Sequence, residues 1–490
     1  MLKSIANQIS ADYAIWIFVG LKIFIVAAVF LPAVSVIAMF SIWWERKVAG
    51  HIQSRVGPMH VGGWHGWAQS LADGIKLILK EDLMPRAADS FLFRLAPYLA
   101  FAPVFTAFLG LAFGPQLVFE QKLNIGVLYI LAVLSIEVMG TILAGWGSAS
   151  KWSIYGAMRE ACQMVSYEVP LGLSIICAVL VAGTLNMTEL SYLQGGGLSK
   201  WFVFHNPFLF CTALIMFIAM LASNKRAPFD LPESESELVA GFHTEYSGLR
   251  FSFFFFAEYA GMFILGAILA LLLFGGWNSP IAAFDPVYHA IGYNPVATGQ
   301  AYFGGNIDAA TTWSGKAAAM GLSDIGLVVL NLYCTFWLVV KAMTVVFIQM
   351  WLRWTLPRIR IDQVLYCCVK VLLPASLITL AGTAIWIYVV PQPEAVIIGD
   401  RTIHRLGHLA SDTTGVQLVT QFALTVIGLA VVASVVGVVL WAWLHRNQMP
   451  PKTFFPDVMP VGNQQAFTSG LPTNKDDAAD LNQTAQTTPA

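Results

Sequence analysis

Long apolar runs constrain the fold of this chain more than any other feature. Hydrophobic stretches of roughly 20 residues, the length that crosses a bilayer as a helix, predict about nine membrane-spanning helices. Backbone amides in hydrocarbon have to pair internally, so runs of this length fold as helices. The runs lie near residues 14–43, 92–113, 125–147, 160–183, 207–223, 251–276, 323–352, 363–391 and 416–444. The expected fold class is therefore all-α, a polytopic helix bundle in a membrane.

Composition agrees with this class. Hydrophobic residues make up 57% of the chain and charged residues 11%, with a mean hydropathy of +0.68, far from the usage of globular proteins. The net charge of -1 gives no indication of a nucleic-acid partner. No Cys-x-x-Cys spacing occurs among the six cysteines. We therefore expect neither a metal site nor a disulfide.

The distribution of positive charge predicts the topology. Lys and Arg are more frequent in the loops after odd-numbered helices, which places those loops in the cytoplasm and the N-terminus on the periplasmic side. The cytoplasmic loops then lie at about 45–91, 148–160, 222–250 and 353–362. Residues 1–444 form the membrane domain, with an extra C-terminal helix near 416–444. Residues 445–490 are polar and are predicted to be a disordered cytoplasmic tail.

Two further segments are not expected to cross the membrane. Residues 64–81 predict an amphipathic helix lying on the cytoplasmic surface, because one helical face is apolar and the other polar. The apolar face carries Leu71, Ile75 and Ile78, and the polar face Gln69, Asp73, Lys76 and Lys80. Residues 277–322 form a long, almost uncharged external loop that is expected to cap the outer face.

Acidic residues inside the apolar runs indicate function, because a charge in a bilayer is costly. Glu45, Glu137, Glu168 and Glu258 lie in or at the edge of such runs. Glu258 needs a buried partner or a proton, and Lys341 is a candidate partner. For Lys22 and Lys370, snorkelling to the interface is as good an explanation as pairing. Pro170, two residues after Glu168, is expected to interrupt helical hydrogen bonding and admit water.

A carboxylate cluster follows the fifth apolar run. Glu233, Glu235 and Glu237 lie within five residues, so they repel one another and are expected to titrate as a coupled set, with some pKa values raised. Apolar residues interleave with these acids, which predicts a packed rather than a solvated segment. The interleaved residues are Phe229, Leu231, Leu238, Val239 and Phe242.

Four ordered blocks resemble the H subunit of the proton-pumping NADH:quinone oxidoreductase, respiratory complex I. The first contains Glu45-Arg-Lys, Gln53-Ser-Arg-Val-Gly-Pro and Leu71-Ala-Asp-Gly-Ile-Lys. The second contains Lys151-Trp, Arg159 and Ser166-Tyr-Glu. The third is Arg226-Ala-Pro-Phe-Asp-Leu-Pro-Glu-Ser-Glu-Ser-Glu, and the fourth is Pro357-Arg-Ile-Arg.

The resemblance implies a non-redox subunit of a translocase that forms the quinone chamber and couples quinone reduction to proton translocation. Such a subunit is not catalytic alone. Quinone is the substrate, while NADH and the iron–sulfur clusters belong to partner subunits. The implied partners are hydrophilic-arm subunits with the terminal iron–sulfur cluster, small membrane subunits and antiporter-like subunits. The implied location is the bacterial inner membrane.

The resemblance also implies roles for individual residues. Around the quinone chamber it places Glu45, Arg46, Arg55, Asp73, Arg226 and Asp230. Along a proton path it places Glu137, Glu168, Glu233, Glu235, Glu237, Glu245 and Glu258. One acid that is common in the family is replaced here by Ser223, with Asn224 and Lys225 following, so one link of that path is missing or supplied elsewhere.

Two alternatives stay open at this point. The membrane-anchor subunit of an energy-converting hydrogenase would share the fold and the acidic loop, but would dock a nickel–iron module and need no quinone. A stand-alone cation transporter would use the intramembrane acids as ligands for its substrate.

Overall fold

The computed structural model describes residues 31–119, 123–233, 235–303 and 313–389, with residues 24, 28, 396–398, 401–403 and scattered positions from 415 to 437. The chain divides into two units, residues 1–425 and 426–490. All elements and contacts described below belong to the first unit.

Helices dominate the described residues. In chain order they are α1 Leu31–Ile52, α2 Gln69–Leu79, α3 Ser90–Ala107, α4 Gly126–Gly147, α5 Lys151–Ala182, α6 Met187–Leu193, α7 Phe202–His205, α8 Pro207–Ser223, α9 Glu235–Leu238, α10 Gly248–Leu273, α11 Pro286–Ile291, α12 Pro295–Phe303, α13 Trp313–Ala319, α14 Asp324–Thr355, α15 Ile361–Leu365 and α16 Leu373–Val389. A π-helical segment, Tyr366–Leu372, joins α15 to α16. Two short antiparallel strands follow, β1 Val396–Ile398 and β2 Arg401–Ile403.

Six of these helical stretches are long and apolar enough to cross a membrane, counted within the described residues. They are Ser90–Gly110, Gly126–Gly147, Lys151–Ala182, Gly248–Leu273, Asp324–Thr355 and Ile361–Val389. Helix α8 is apolar but shorter. The all-α polytopic class is confirmed. The predicted helix near 416–444 and the tail 445–490 fall largely or wholly outside the described residues, and the topology stays a prediction.

Two helices extend beyond their apolar runs. Helix α1 continues to Ile52, so Glu45 lies on a helix and not in a loop. Helix α5 begins at Lys151, so most of the loop expected at 148–160 is helical. Hydropathy alone misplaces such ends, because polar residues extend a helix wherever folding supplies them with partners. The expected interruption at Pro170 does not end α5, which runs through it to Ala182.

Helix α10 is the central element of the bundle. Every residue from Tyr259 to Leu273 is buried, and α10 packs against α1, α3 and α14. A helix that is apolar all round is expected in such a position. Helix α2, in contrast, is not buried, and Leu71, Ile75 and Ile78 lie exposed on one of its faces. This confirms the amphipathic helix over residues 69–79 of the predicted 64–81, whereas Trp64–Gly66 forms a separate 3-10 turn. The helix is attached to α1 where Ser70 donates a hydrogen bond to the Met39 carbonyl, 2.9 Å away.

Candidate functional site: a buried charge network

The loop after α8 is positioned by amide side chains from two helices. Gln163 on α5 donates hydrogen bonds to the carbonyls of Ala222 (2.7 Å) and Phe229 (2.9 Å). Asn224 donates to the side-chain oxygen of Gln349 on α14, at 3.0 Å. These contacts hold the backbone on both sides of the consecutive cations at positions 225 and 226.

The acidic segment that follows is packed, as its sequence predicts. Four of the five interleaved apolar residues are buried, whereas Val239 is 61% exposed, so the expectation is wrong at that position. Gly241 allows the segment to fold back on itself, since it has a φ of +62°. A Cβ at this position would lie only 1.6 Å from the Pro232 carbonyl oxygen, so a larger residue cannot be accommodated.

Arg226 is the centre of the site. Its side chain is 2% exposed, and its Nε lies 2.7 Å from a carboxylate oxygen of Glu258. Its Nη1 donates to Glu45 across 3.4 Å, and the guanidinium lies 4.3 Å from the ring centre of Tyr259. The other oxygen of Glu45 accepts from Arg353 at 2.6 Å. The result is a continuous series of ion pairs from α14 through α1 and the loop to α10.

Lys225 forms a second set of ion pairs beside the first. Its Nζ lies 3.3 Å from Glu160 and 3.8 Å from Glu137. Burial alone would lower the pKa of Lys225, but Glu160 and Glu137 more than offset this and raise it above its usual value. Lys225 therefore stays protonated at any physiological pH. These two sets lie side by side, because Lys225 and Arg226 are consecutive residues. We call their members together the charge network: Arg353, Glu45, Arg226, Glu258, Lys225, Glu137 and Glu160.

Two small cavities adjoin the charge network. One of about 20 Å³ is bounded by Glu137, Lys225 and Glu258, which is room for one water molecule. A second, of about 160 Å³, extends past Glu168, whose carboxylate lies 3.4 Å from the Ser135 hydroxyl. Both cavities share four lining residues, Leu134, Val138, Ser223 and Leu265. Ser223 thus lies between the two cavities.

Only two of the six residues predicted for the quinone chamber belong to the charge network, namely Glu45 and Arg226. Arg46 pairs with Asp73 on the partly exposed side of α1. Arg55 is exposed and donates to the Gln53 side chain at 2.7 Å.

Asp230 pairs separately with Arg358, at 3.0 Å. Burial and the nearby Glu233 raise the pKa of Asp230 to about 6, although Arg358 acts in the opposite direction.

The predicted proton-path acids also divide into members of the charge network and residues outside it. Glu137 and Glu258 belong to the charge network, and Glu168 borders the larger cavity. Glu233 lies 3.9 Å from the ring nitrogen Nδ1 of His243. Glu237 pairs with Arg159 at 2.5 Å, on the surface.

The remaining two predicted acids, Glu245 and Glu235, have no contact with the charge network that the structure describes. Glu245 is partly buried, and its carboxylate forms no ion pair with any described residue. The side chain of Glu235 lies outside the described residues. The coupled titration of the three clustered acids therefore stays a prediction.

Three members of the charge network are not indicated by the sequence reasoning: Glu160, Lys225 and Arg353. Glu160 has a signal, because it directly follows Arg159 in the second family block and lies in what proves to be a spanning helix. Lys225 is noticed in the sequence only because it lies two residues after Ser223, where the resemblance implies an acid. Arg353 looks like an interfacial charge, which is the common role of Arg at a helix end.

The expected pairing of Lys341 with an acid is wrong. Its ammonium instead donates to the backbone carbonyls of Phe274, Gly276 and Asn278 at 2.6–2.8 Å. Carbonyl oxygens at the end of α10 are unpaired within the helix and so are available to a donor from α14. Lys370 lies 5.2 Å from the ring centre of Tyr366, and Lys22 falls outside the described residues.

An aromatic groove lies along the other side of the first block. Its volume is about 490 Å³, and its lining includes Phe40, Trp43, Trp44, Lys47, Trp64 and His65. Trp43 donates from its indole to the His65 carbonyl at 3.1 Å, which fixes one wall. Because Trp44 and Glu45 are neighbours on α1, the same helix supplies both this groove and the charge network.

No group of three or more His, Cys, Asp or Glu side chains suited to a metal ion occurs in the part of the chain that the structure describes. All six cysteines are free thiols.

Comparison with known proteins gives a consistent result. The NADH dehydrogenase family model matches residues 24–384. The H subunit of the NADH-quinone oxidoreductase of Chlorobaculum parvum is 42% identical over 375 residues, covering 76% of this chain and 94% of its own length. The corresponding protein of Chlorobium luteolum is 41% identical over 374 residues, covering 76% and 91%. That of Anaeromyxobacter dehalogenans is 38% identical over 386 residues, covering 79% and 86%. With a family model over most of its length and relatives this similar, the chain belongs to the family of H subunits of NADH-quinone oxidoreductase, which are membrane subunits of complex I.

Proposed function

We propose that this chain forms the membrane-side wall of the quinone site and transmits quinone reduction to proton translocation through the charge network. The observation that carries the proposal is the position of Arg226. A single buried guanidinium is shared by Glu45, from the block predicted to border the chamber, and Glu258, from the predicted proton path. The two sets of residues are therefore in direct electrostatic contact.

Charge that appears near one end of such a network affects the other end. Arg226 Nη2 is buried and has no hydrogen-bond acceptor among the described residues, so it has a donor to spare. A negatively charged quinone species nearby would attract Arg226 and weaken its hold on Glu258. Glu258 would then favour its protonated form. Coupling of this kind requires charges that respond to their surroundings, and no covalent chemistry from this chain.

The two cavities suggest where a proton goes next. Glu258 and Glu137 border the smaller cavity and Glu168 the larger one, and the cavities share lining residues around Ser223. Water in these spaces would link the three carboxylates. Ser223, with its hydroxyl, is compatible with a hydrated link where other family members have an acid.

The aromatic groove beside α1 is the proposed approach for the quinone. Ligand sites are typically concave and largely apolar, with a few polar groups that orient the ligand. Trp43, Trp44 and Phe40 supply the apolar surface, and Lys47 and His65 supply the polar groups. In this proposal the hydrophilic-arm subunits provide NADH oxidation and the terminal iron–sulfur cluster. Small membrane subunits and antiporter-like subunits receive the proton or the signal. The proposed location is a bacterial inner membrane.

The test is Glu258→Gln in the intact complex, reconstituted into vesicles. The variant keeps the size of the side chain but cannot release a proton. We expect a lower proton yield per NADH and slower quinone reduction, whereas NADH oxidation by ferricyanide, which bypasses the quinone site, continues at its normal rate.

Glu189→Gln is a matched control, because Glu189 contacts the Thr184 hydroxyl and lies outside the charge network. It should leave both activities unchanged. Normal quinone reduction and proton yield in Glu258→Gln would exclude the charge network from coupling. Equal loss of quinone and ferricyanide activity would point to failed assembly, in which case Glu137→Gln provides the same test.

A further inference from the structure

A turn at the end of α10 encloses the head group of Lys341. The ammonium lies 2.8 Å from the Phe274 carbonyl, 2.8 Å from that of Gly276 and 2.6 Å from that of Asn278. The ring centre of Trp201 is 4.3 Å away. We call these three carbonyls and the Trp201 ring the carbonyl cage.

The geometry identifies the occupant as a charged ammonium group. A protonated lysine has three N–H donors and no acceptor, whereas a neutral amine has only two donors and a lone pair. Three carbonyls at hydrogen-bond distance therefore match the protonated form. The face of an aromatic ring also attracts a cation. Among the described residues no carboxylate pairs with Lys341, so the cage alone stabilises the charge.

The cage is held in shape by side chains other than Lys341. Gln194 donates to the Leu271 carbonyl at 2.9 Å and accepts from the Gly275 amide at 2.9 Å. Asn278 donates to the Ser191 carbonyl at 2.6 Å and to the Gly275 carbonyl at 3.0 Å. These bonds hold the turn that carries the three cage carbonyls, and none of them involves Lys341.

We propose that the carbonyl cage is a binding site for an ammonium-type monovalent cation, which the chain occupies with its own Lys341. Occupancy of the cage fixes the outer end of α10 against α14. These two helices also meet where Gly266 packs against the Ala342 carbonyl; a Cβ at position 266 would lie 3.0 Å from that oxygen. Lys341 is thus a positioning residue for α10.

The functional consequence rests on the proposed function. Helix α10 carries Glu258, and α14 carries Arg353, both members of the charge network. Glu258 precedes Phe274 by 16 residues, or roughly 24 Å of helix. A shift of α10 along α14 would therefore change the spacing of the charge network at a distance from the cage.

The test is chemical rescue of Lys341→Ala. This substitution removes three carbons and the ammonium, the atoms of propylammonium, so that ion is the probe. Lys341 is partly exposed along its side chain, and the removal of that side chain opens a route for an added amine to the cage. In the assembled complex we expect quinone reduction to fall roughly 10- to 100-fold, as displaced catalytic geometry does. Propylammonium at millimolar concentration should restore it, and 1-propanol, which has the same size but no charge, should not.

Controls separate the cage from other effects. Lys370→Ala removes an intramembrane lysine that also lies near an aromatic ring but donates to no carbonyl in the part of the chain that the structure describes. Quinone reduction by this variant should be close to normal, and propylammonium should not change it. Tetramethylammonium, a cation without N–H donors, should fail to rescue Lys341→Ala, because the carbonyls require donors.

Each outcome decides the proposal. Normal activity of Lys341→Ala, or rescue by 1-propanol, overturns it. If Lys341→Ala does not assemble, cells grown with propylammonium should accumulate the complex, and their failure to do so also overturns it. If rescue succeeds but Glu258→Gln proves normally coupled, the cage stands and only its link to the proposed function fails.

Discussion

Two places along α10 stabilise buried positive charge in different ways. Beside Glu258, near the middle of the helix, Lys225 and Arg226 each lie between two carboxylates, and Glu45 is itself shared by two guanidinium groups. At the C-terminal end of the helix, Lys341 is held by backbone carbonyls and an aromatic ring. Both arrangements offset the positive charge, but only the first contains groups that can take up a proton.

This difference determines which of the two places can respond to charge. A carboxylate changes its charge by one unit on protonation, so a cation shared by two carboxylates has several accessible states. A carbonyl oxygen does not titrate, so the surroundings of Lys341 have a single charge state. The charge network is therefore suited to coupling, and the carbonyl cage to fixing geometry. Substitutions of single charged residues test this contrast.

The largest effect is expected for Arg226→Met, which leaves Glu45 and Glu258 without their shared cation. Removing one partner from a buried ion pair typically costs about 3–5 kcal/mol. We expect little assembled complex and no quinone reduction in what assembles. Blue-native gels and quinone-reductase rates measure this. Arg226→Met combined with Glu258→Gln should recover assembly, and equal defects in the single and double variants would contradict the shared pairing.

Lys225→Met should have the next largest effect, because its shorter ion pair, 3.3 Å to Glu160, is longer than the 2.7 Å ion pair of Arg226 with Glu258. A double-mutant cycle with Glu160→Gln measures the interaction. We expect a coupling free energy on the order of 1–3 kcal/mol for groups in direct contact. Thermal denaturation of the purified complex gives the individual values. Additive effects of the two changes would remove Glu160 from the charge network.

Asp230 should make stability depend on pH. Its pKa is raised to about 6 from an ordinary value of 3.8, so its contribution is present below pH 3.8 and is lost as the pH rises through about 6. Asp230→Asn should therefore gain stability relative to the unmodified complex as the pH rises from about 4 to about 6, by at most about 3 kcal/mol, and should keep that gain at higher pH. Melting temperatures across this range measure the gain. A constant difference between the two proteins would contradict the raised pKa.

The smallest effect is expected for Glu237→Gln. Its partner Arg159 lies at the surface, and the Glu237 side chain is 51% exposed. Exposed ion pairs contribute about 0–1 kcal/mol. We expect normal assembly and a change in quinone turnover of less than about twofold, which corresponds to a fraction of 1 kcal/mol. A loss comparable to that of Glu258→Gln would place Glu237 back among the coupling residues.

Much of the fold and part of the site can be predicted from the sequence. Apolar runs locate α4 and α8 to within one residue, because both ends of these helices coincide with the ends of their hydrophobic stretches. Glu45, Arg226 and Glu258 are identifiable because buried charge is costly and because family blocks contain two of them. Their mutual contact cannot be predicted, since they are distant in sequence and a motif does not state which residues pair.

The errors have a common physical cause. Lys341 is expected to find a carboxylate, yet backbone carbonyls at a helix end serve as well and leave no trace in composition. Arg46 and Asp73 pair with each other near the surface and not with Arg226, a contact that the sequence does not indicate, while their assignment to the quinone chamber stays a prediction. In both cases the nearest partner is decided by how the chain turns, which hydropathy and charge patterns do not report.

Lys225 and Arg226 are consecutive residues, and the backbone at Lys225 has a φ of +53°, a left-handed value that is uncommon for a side chain of this size. Gln163 and Asn224 hold the chain on either side of this turn. One peptide unit thus fixes the attachment of four glutamates, two through each cation. A movement of this peptide unit would therefore alter the proton affinity of all four glutamates at once.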